Sequence, residues 1–184
     1  MKTDSMKIDR TLFWFKDGDT ILLQLNEDFF GIGTLLNRLL NEKYNGKKIK
    51  FVNLDFATEE TYKRHPILPR GESYCYGGHL RYHGVFDRKE FERLTKAEQT
   101  KYLWDNACSY LKKCALDIKN NELFEAVEYA YKKGLEINLN PDYRMVDTRV
   151  DYSGQEFRAS VWVNFKADGM YSTFTLERGR LRGF

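Results

Sequence analysis

The spacing of apolar residues changes twice along this chain, and that change limits the folds open to it. Between Thr95 and Gly134 apolar side chains recur every three or four residues, the spacing of amphipathic helices. Beyond Pro141 they alternate with polar ones, as in strands that have one covered face. Near the N-terminus two apolar runs flank Asp17–Gly18, a strong hairpin signal. Strands at both ends and helices between them predict an α+β fold.

Local signals predict the order of the elements. After the N-terminal hairpin, apolar residues at helical spacing predict a helix that ends before Gly46. A capping box at Thr95 and Glu98 opens the first helix of a central αα-hairpin, and Gly134 is expected to end the second. Three C-terminal strands joined by turns predict an antiparallel β-meander packed on the helices. Because the sequence has no linker or repeat, we expect a single α+β domain over residues 1–184.

Composition describes an ordinary globular protein of balanced charge. The chain has 184 residues, of which 42% are hydrophobic and 31% charged, so it can bury a core without a disulfide or a metal. Its net charge of +3 argues against a nucleic-acid-binding protein, since such domains carry clustered basic patches. The chain has three cysteines without a Cys-x-x-Cys pair, and its N-terminus is polar. It also lacks a long apolar run. Together these features favour a reduced, cytoplasmic protein outside the membrane.

The segment YCYGGHLRYHGVFD, Tyr74–Asp87, concentrates residue types that can carry chemistry. Cys75, His79 and His83 are potential metal ligands, and Cys75 with either histidine is a potential nucleophile–base pair. In a strand, however, residues four apart lie about 13 Å from each other, too far to share one ion. The glycines and tyrosines oppose the helix that would bring these residues together. We therefore expect a glycine-bent strand here, without a metal or cofactor.

Aromatic and arginine side chains give the stronger indication of a site. Tyr, Trp and Arg are enriched at binding hot spots. The predicted contact residues are Tyr76, Arg81 and Tyr82 in the bent strand, and Arg158, Trp162 and Tyr171 on the polar face of the meander. The alternative is that helices or another sheet cover Trp162, in which case that face is part of the core.

No catalytic motif accompanies these residues, because the sequence lacks both a Gly-x-Ser-x-Gly elbow and a complete phosphate-binding glycine motif. In its general character, a small tyrosine-rich α+β protein, the chain is similar to bacterial immunity proteins, which neutralise a partner toxin by binding it. The resemblance implies a protein partner and assigns no residue. The leading hypothesis is a non-catalytic protein-binding domain of this type. The alternative is a small hydrolase or metal-dependent enzyme that uses Cys75, His79 and His83.

Overall fold

The computed structural model describes residues 7–46, 48–166 and 169–178. It confirms the α+β class, with helices, a mixed sheet and a C-terminal meander. The chain divides into two compact units, an N-terminal unit of residues 1–140 and a C-terminal unit of residues 141–184. The expected single domain stays a prediction. None of the helices formed by the described residues is long and apolar enough to cross a membrane.

The N-terminal unit holds all the helices that the described residues form, together with a sheet. Its strands are β1 (Arg10–Asp17), β2 (Thr20–Ile21), β3 (Phe51–Ala57), β4 (Ser73–Tyr76) and β5 (His79–Val85). Its helices are α1 (Leu23–Asp28), α2 (Phe30–Asn41), α3 (Glu59–Arg64), α4 (Arg88–Phe91), α5 (Lys96–Asp117) and α6 (Asn121–Glu136).

The sheet of the N-terminal unit is mixed, in the order β2-β1-β3-β5-β4. The three central strands β1, β3 and β5 run parallel, and the two outer strands pair antiparallel with their neighbours. Parallel neighbours need a crossover connection, which the chain segments containing α2 and α3 supply. The sequence pattern predicted the strands at this end of the chain but not that they pair in parallel.

The predicted N-terminal hairpin is present but short. Strands β1 and β2 pair around Gly18, whose positive φ of 58° suits a tight turn. The second apolar run was expected to continue as a strand, yet it forms helix α1 after two paired residues. One physical reason is visible at Phe15, whose backbone N–H donates to Oδ1 of Asn26 at 3.0 Å. The Asn26 side chain thus replaces the longer partner strand along this edge.

Helices α5 and α6 form the predicted antiparallel pair, and the predicted capping box at Thr95 and Glu98 is confirmed. Helix α6 does not end at Gly134 but continues to Glu136. A Cβ at Gly134 would lie 2.2 Å from Cζ2 of Trp104, a fully buried side chain of α5. This glycine is therefore required by close packing between the two helices and does not terminate a helix.

The core of the N-terminal unit lies on one face of its sheet. Helices α2 and α5 contact the sheet, and α6 contacts both of these helices. The side chains that the sheet contributes to this core are Phe13 and Phe15 of β1, Val52, Leu54 and Phe56 of β3, and Leu80 and Tyr82 of β5. The opposite face of the sheet carries polar and aromatic residues, which are described below.

The C-terminal unit contains the predicted antiparallel meander, in the order β6-β7-β8. Its strands are β6 (Tyr143–Tyr152), β7 (Gln155–Lys166) and β8 (Gly169–Arg178). A register shift between Arg144 and Val146 marks a bulge in β6. Cross-strand pairing places apolar residues on one face and charged and polar residues on the other, as the alternation predicted.

Candidate functional site

One face of the N-terminal sheet is open over much of its area, and we call this surface the open face. Partners in the β1–β3–β5–β4 register point to the same side of the sheet and form four rows across it, the last of which is Lys16–Ala57–Val85. The first three rows make up the open face. The open face consists of the rows Arg10–Phe51–His79–Tyr76, Leu12–Asn53–Arg81–Tyr74 and Trp14–Asp55–His83. It therefore brings together aromatic rings, two arginines and one acid.

The first row combines three rings with one cation, Arg10. The rings of Phe51 and His79 lie 4.6 Å apart between centroids, and the Arg10 guanidinium carbon lies 5.2 Å from the centre of the Phe51 ring. Tyr76 continues the row and is 75% exposed. Cations over aromatic faces at such distances contribute about 0.5–1 kcal/mol at exposed sites. This row is thus a flat surface that combines apolar area with positive charge.

Asp55 is the buried centre of the open face. Its carboxylate accepts hydrogen bonds from Nε and Nη2 of Arg81, at 2.9 and 3.0 Å, and lies 2.9 Å from Nδ1 of His83. Burial alone would raise the pKa of Asp55, but the hydrogen bonds from His83 and Arg81 and the charge of Arg81 together lower it. Asp55 therefore stays ionised and holds the half-exposed Arg81 side chain in one orientation.

Residues from the loop and helix after β3 enclose the His83 end of this cluster. Tyr62 of α3 donates from its hydroxyl to the carbonyl of Gly84 at 2.9 Å. The backbone N–H of His83 donates to the carbonyl of Glu72, and the N–H of Gly71 donates to the carbonyl of His83. Burial raises the pKa of Tyr62 well above its usual range, so its hydroxyl remains a donor at neutral pH.

The segment Tyr74–Asp87 is a hairpin, which corrects the expected single bent strand. Gly77 and Gly78 both have positive φ, 56° and 84°, and form a two-residue turn between β4 and β5. Tyr76 then pairs with His79, so both side chains lie on the open face. The turn gives this part of the sheet an additional strand and extends the open face by two tyrosines.

The structure separates the three residues of the alternative enzyme hypothesis. Cys75 pairs with Leu80, a core residue, and so lies on the helix side of the sheet. His79 and His83 lie on the open face, where His83 contacts Asp55. Among the described residues no group of three or more His, Cys, Asp or Glu side chains is arranged to hold a metal ion. Cys75 and the two histidines thus lie on opposite faces of the sheet, an arrangement that does not support the nucleophile–base pair of the alternative hypothesis.

Of the three contact residues predicted in the hairpin, two lie on the open face. Tyr76 and Arg81 do so, with the Arg81 side chain 39% exposed. Tyr82 does not, and the expectation that it is a contact residue is wrong. It is buried on the helix side and stacks on Tyr110 of α5, with ring centroids 4.4 Å apart and an interplanar angle of 23°.

The other three predicted contact residues share the polar face of the meander. Trp162 is 39% exposed, with the Arg144 guanidinium 5.7 Å from the centre of its ring. Arg158 donates two hydrogen bonds of 2.8 Å to Asp147, and these bonds lower the pKa of Asp147 to about 2. Tyr171 lies on β8 and is half-exposed. This face is a second surface of the same composition, in the C-terminal unit.

Sequence reasoning missed the residues that β1 and β3 contribute to the open face. Trp14 donates from Nε1 to Oδ1 of Asn53 at 3.3 Å, and Phe51 and Arg10 form part of the first row. The alternation of β1 contains a usable signal, because the buried positions Phe13 and Phe15 leave Trp14 on the opposite side. The neighbours of Trp14 could not be found in this way, since they depend on the parallel register.

Comparisons of this chain with protein-family models, with curated proteins and with solved structures found no match.

Proposed function

We propose that this protein is a non-catalytic protein-binding domain that presents the open face to an acidic surface of a partner protein. The observation that carries the proposal is the row Arg10–Phe51–His79–Tyr76 beside an Arg81 that Asp55 fixes. Tyr, Trp and Arg dominate the binding energy of protein interfaces because they combine large apolar area with directed hydrogen bonds.

The rigidity of the open face supports a binding role. Arg81 loses less side-chain freedom on binding than a free arginine would, because two hydrogen bonds to Asp55 already restrict it. Trp14 is held in the same way by its bond to Asn53. Side chains that are ordered before association retain more of the interaction energy as affinity.

The charge of the open face supports an acidic partner. Arg10 and Arg81 are its cations, and its one acid, Asp55, is buried and already paired with Arg81 and His83. The ion pair with Asp55 offsets the charge of Arg81, so the net positive charge that a partner meets comes from Arg10, beside the aromatic rings. Complementary charge steers association and excludes basic partners.

The finer part of the proposal is a bacterial immunity-type role in the cytoplasm, in which binding neutralises a partner toxin. The resemblance in size and composition motivates it. The thiols of Cys75, Cys108 and Cys114 are free, which supports a reducing compartment. Burial raises the pKa of both Cys108 and Cys114 to about 12, so these two thiols are unreactive structural residues.

The test is capture of a partner from a lysate of the source cells with the immobilised full chain, followed by affinity measurement with the purified partner. We expect Tyr76→Ala to weaken binding at least about tenfold, because it removes the most exposed aromatic side chain of the first row. Leu116→Ala is the matched control, since Leu116 is 66% exposed on α5, away from the open face. Equal affinity of both variants would show that the open face is not the binding surface.

Two further outcomes separate the parts of the proposal. Recovery of nucleic acid, with binding abolished by nuclease and by moderate salt, would overturn a protein partner. For the immunity role, co-expression with the captured partner should rescue growth with the wild-type chain and not with Tyr76→Ala. A partner that binds tightly but is not toxic would leave the binding function standing and reject the immunity role.

A further inference from the structure

A cavity lies beside the open face, at the carboxyl ends of strands β1 and β3, and we call it the edge cavity. Its volume is about 510 Å³, within the range of about 300–1,000 Å³ that is typical of small-molecule sites. Strand β1 contributes Lys16 to its wall, β2 contributes Ile21, and α3 contributes Thr61 and Arg64. The loop His65–Leu68 closes the remaining side.

The edge cavity lies where sheets with parallel strands commonly bind ligands. Such sites form outside the carboxyl ends of neighbouring strands whose following segments leave toward opposite faces of the sheet. Here β1 leads through β2 and α1 to α2, which packs on the core face. Strand β3 leads to α3, whose Thr61 lines the cavity together with Lys16 of the fourth row, opposite the core. The diverging segments thus leave a crevice between them.

The charges that line the edge cavity are paired, with one exception. Arg64 donates to Asp19 and to Glu60, at 2.8 Å each. The Nε2 atom of His65 lies 2.8 Å from the second carboxylate oxygen of Asp19. Among the described residues, the amine of Lys16 has neither an ion-pair nor a hydrogen-bond partner. The cavity therefore offers one cation that is available to an anionic ligand.

The other walls of the edge cavity are largely apolar. Ile21, Pro66, Ile67 and Leu68 contribute to them. Ile67 is 95% exposed and Ile21 is 46% exposed, although both line the cavity. A hydrocarbon group placed here would remove these side chains from water, which is favourable in proportion to the apolar area covered.

From this volume, one unpaired cation and apolar walls, we infer that the edge cavity binds a small amphipathic carboxylate. The carboxylate pairs with the amine of Lys16, and the hydrocarbon part contacts Ile21 and Ile67. A monoanion fits better than a phosphate, because the 62% exposed carboxylate of Asp19 repels a second negative charge. The inference goes beyond the proposed protein-binding role, since this ligand occupies the cavity and not the open face.

Titration of the isotope-labelled full chain with octanoate, followed through NMR chemical shifts, tests the site. Octanoate is the probe because it joins one carboxylate to a flexible apolar chain. We expect saturable shifts at Lys16, Thr61 and Ile67, with an affinity in the millimolar range or tighter. Octanol has the same length without the charge and should bind about tenfold more weakly, because it cannot form the charged hydrogen bond to Lys16.

Two variants separate the charged part of the site from the apolar part. Lys16→Met removes the cation at similar side-chain length and should weaken octanoate about tenfold but octanol little. Ile67→Ser should weaken both probes about threefold, because it removes apolar contact area. Lys63→Met is the matched control, since Lys63 is an exposed residue of α3 that does not line the cavity. It should leave both affinities unchanged.

Any of three results would overturn the proposal: no saturable shifts at the cavity, equal affinities for octanoate and octanol, or equal effects of Lys16→Met and Lys63→Met. Shifts confined to the open face would overturn it too. Circular dichroism checks that each variant keeps its fold. Tyr76→Ala should leave octanoate binding unchanged, so a failure of this site and a failure of the protein-binding role are distinguishable.

Discussion

Asp55 is a buried carboxylate whose hydrogen-bond donors are side chains of one neighbouring strand, β5. It fixes Arg81 on the open face and contacts His83 on the same strand. Because its pKa is lowered in the folded chain, the ionised form stabilises the fold. A single residue thus links the orientation of a contact side chain to the stability of the sheet.

We expect Asp55→Asn to lower the free energy of unfolding by about 2–4 kcal/mol at neutral pH, because it removes charged hydrogen bonds in a buried site. The pKa of Asp55 lies below its unfolded value of about 3.9, so its contribution is complete above that pH and is lost as the pH falls through the folded pKa. Urea unfolding of both chains from neutral pH down to about pH 3 measures this difference.

Asp9→Asn is the control for this experiment, because the Asp9 residue is exposed. We expect it to change the free energy of unfolding little. If the gap between wild type and Asp55→Asn stayed constant down to the lowest pH, the ionised carboxylate of Asp55 would not be the source of the stabilisation.

The sequence pattern predicted that Tyr76 and Tyr82 lie on one surface. This prediction is wrong because the turn between them changes which face of the sheet each residue occupies. In one continuous strand residues six apart share a face. A two-residue turn at Gly77–Gly78 reverses this relation, since Tyr76 then pairs with His79, three positions later. Tyr82 consequently faces the helices and Tyr76 faces solvent. The Gly-Gly pair indicated the turn, but nothing in the sequence indicated which of the two tyrosines would be buried.

At the scale of the elements, the packing of α5 against α6 depends on a glycine. The backbone of Gly134 approaches the Trp104 ring so closely that a Cβ would lie 2.2 Å from Cζ2 and 2.6 Å from Cε2. Trp104 is fully buried and its Nε1 donates to the carbonyl of Tyr131 at 3.4 Å. Neither the ring nor the helix can move without loss of contacts elsewhere in the core.

We expect Gly134→Ala to destabilise the chain by about 1–3 kcal/mol, although alanine favours a helix over glycine by about 1 kcal/mol. Thermal and urea unfolding of the variant measure the change. Addition of Trp104→Phe, which removes the ring atoms that clash, should make the Gly134→Ala change less harmful than it is beside tryptophan. A stabilising effect of Gly134→Ala alone would mean that the helices separate at little cost.

The elements that were predicted best from the sequence are those that short-range sequence patterns determine. The capping box at Thr95, the alternation of β7 and the helical stripe of α2 all involve residues within a few positions of each other. The parallel pairing of β1 with β3 has no such local signal, because it joins Arg10 to Phe51 across two helices. The open face depends on that pairing, so most of the candidate site could not be predicted.

At the scale of the whole molecule, the main hydrophobic core belongs to one unit. Its buried residues lie between Ile8 and Ala130, within the N-terminal unit. The C-terminal unit is a three-stranded sheet with one apolar face. The unit that carries the open face therefore contains its own core.

We expect a fragment that ends at Asn140 to fold without the meander, because a unit with its own core is able to fold alone. Circular dichroism should show helix content and a cooperative thermal transition, with the full chain as the reference. The fragment should also bind a partner of the open face with nearly the affinity of the full chain. A non-cooperative fragment would show that the meander is needed for the N-terminal unit to fold.

The parallel pairing of β1 with β3 has a consequence for how the chain folds. Arg10 cannot meet Phe51 until the intervening segment with α1 and α2 has been ordered or closed into a loop. In the meander, Tyr152 pairs with Gln155 across a tight turn, and the remaining pairs follow from there. Contacts close in sequence form fast and distant ones slowly. The meander can therefore assemble early in folding, while the sheet that carries the open face is completed late.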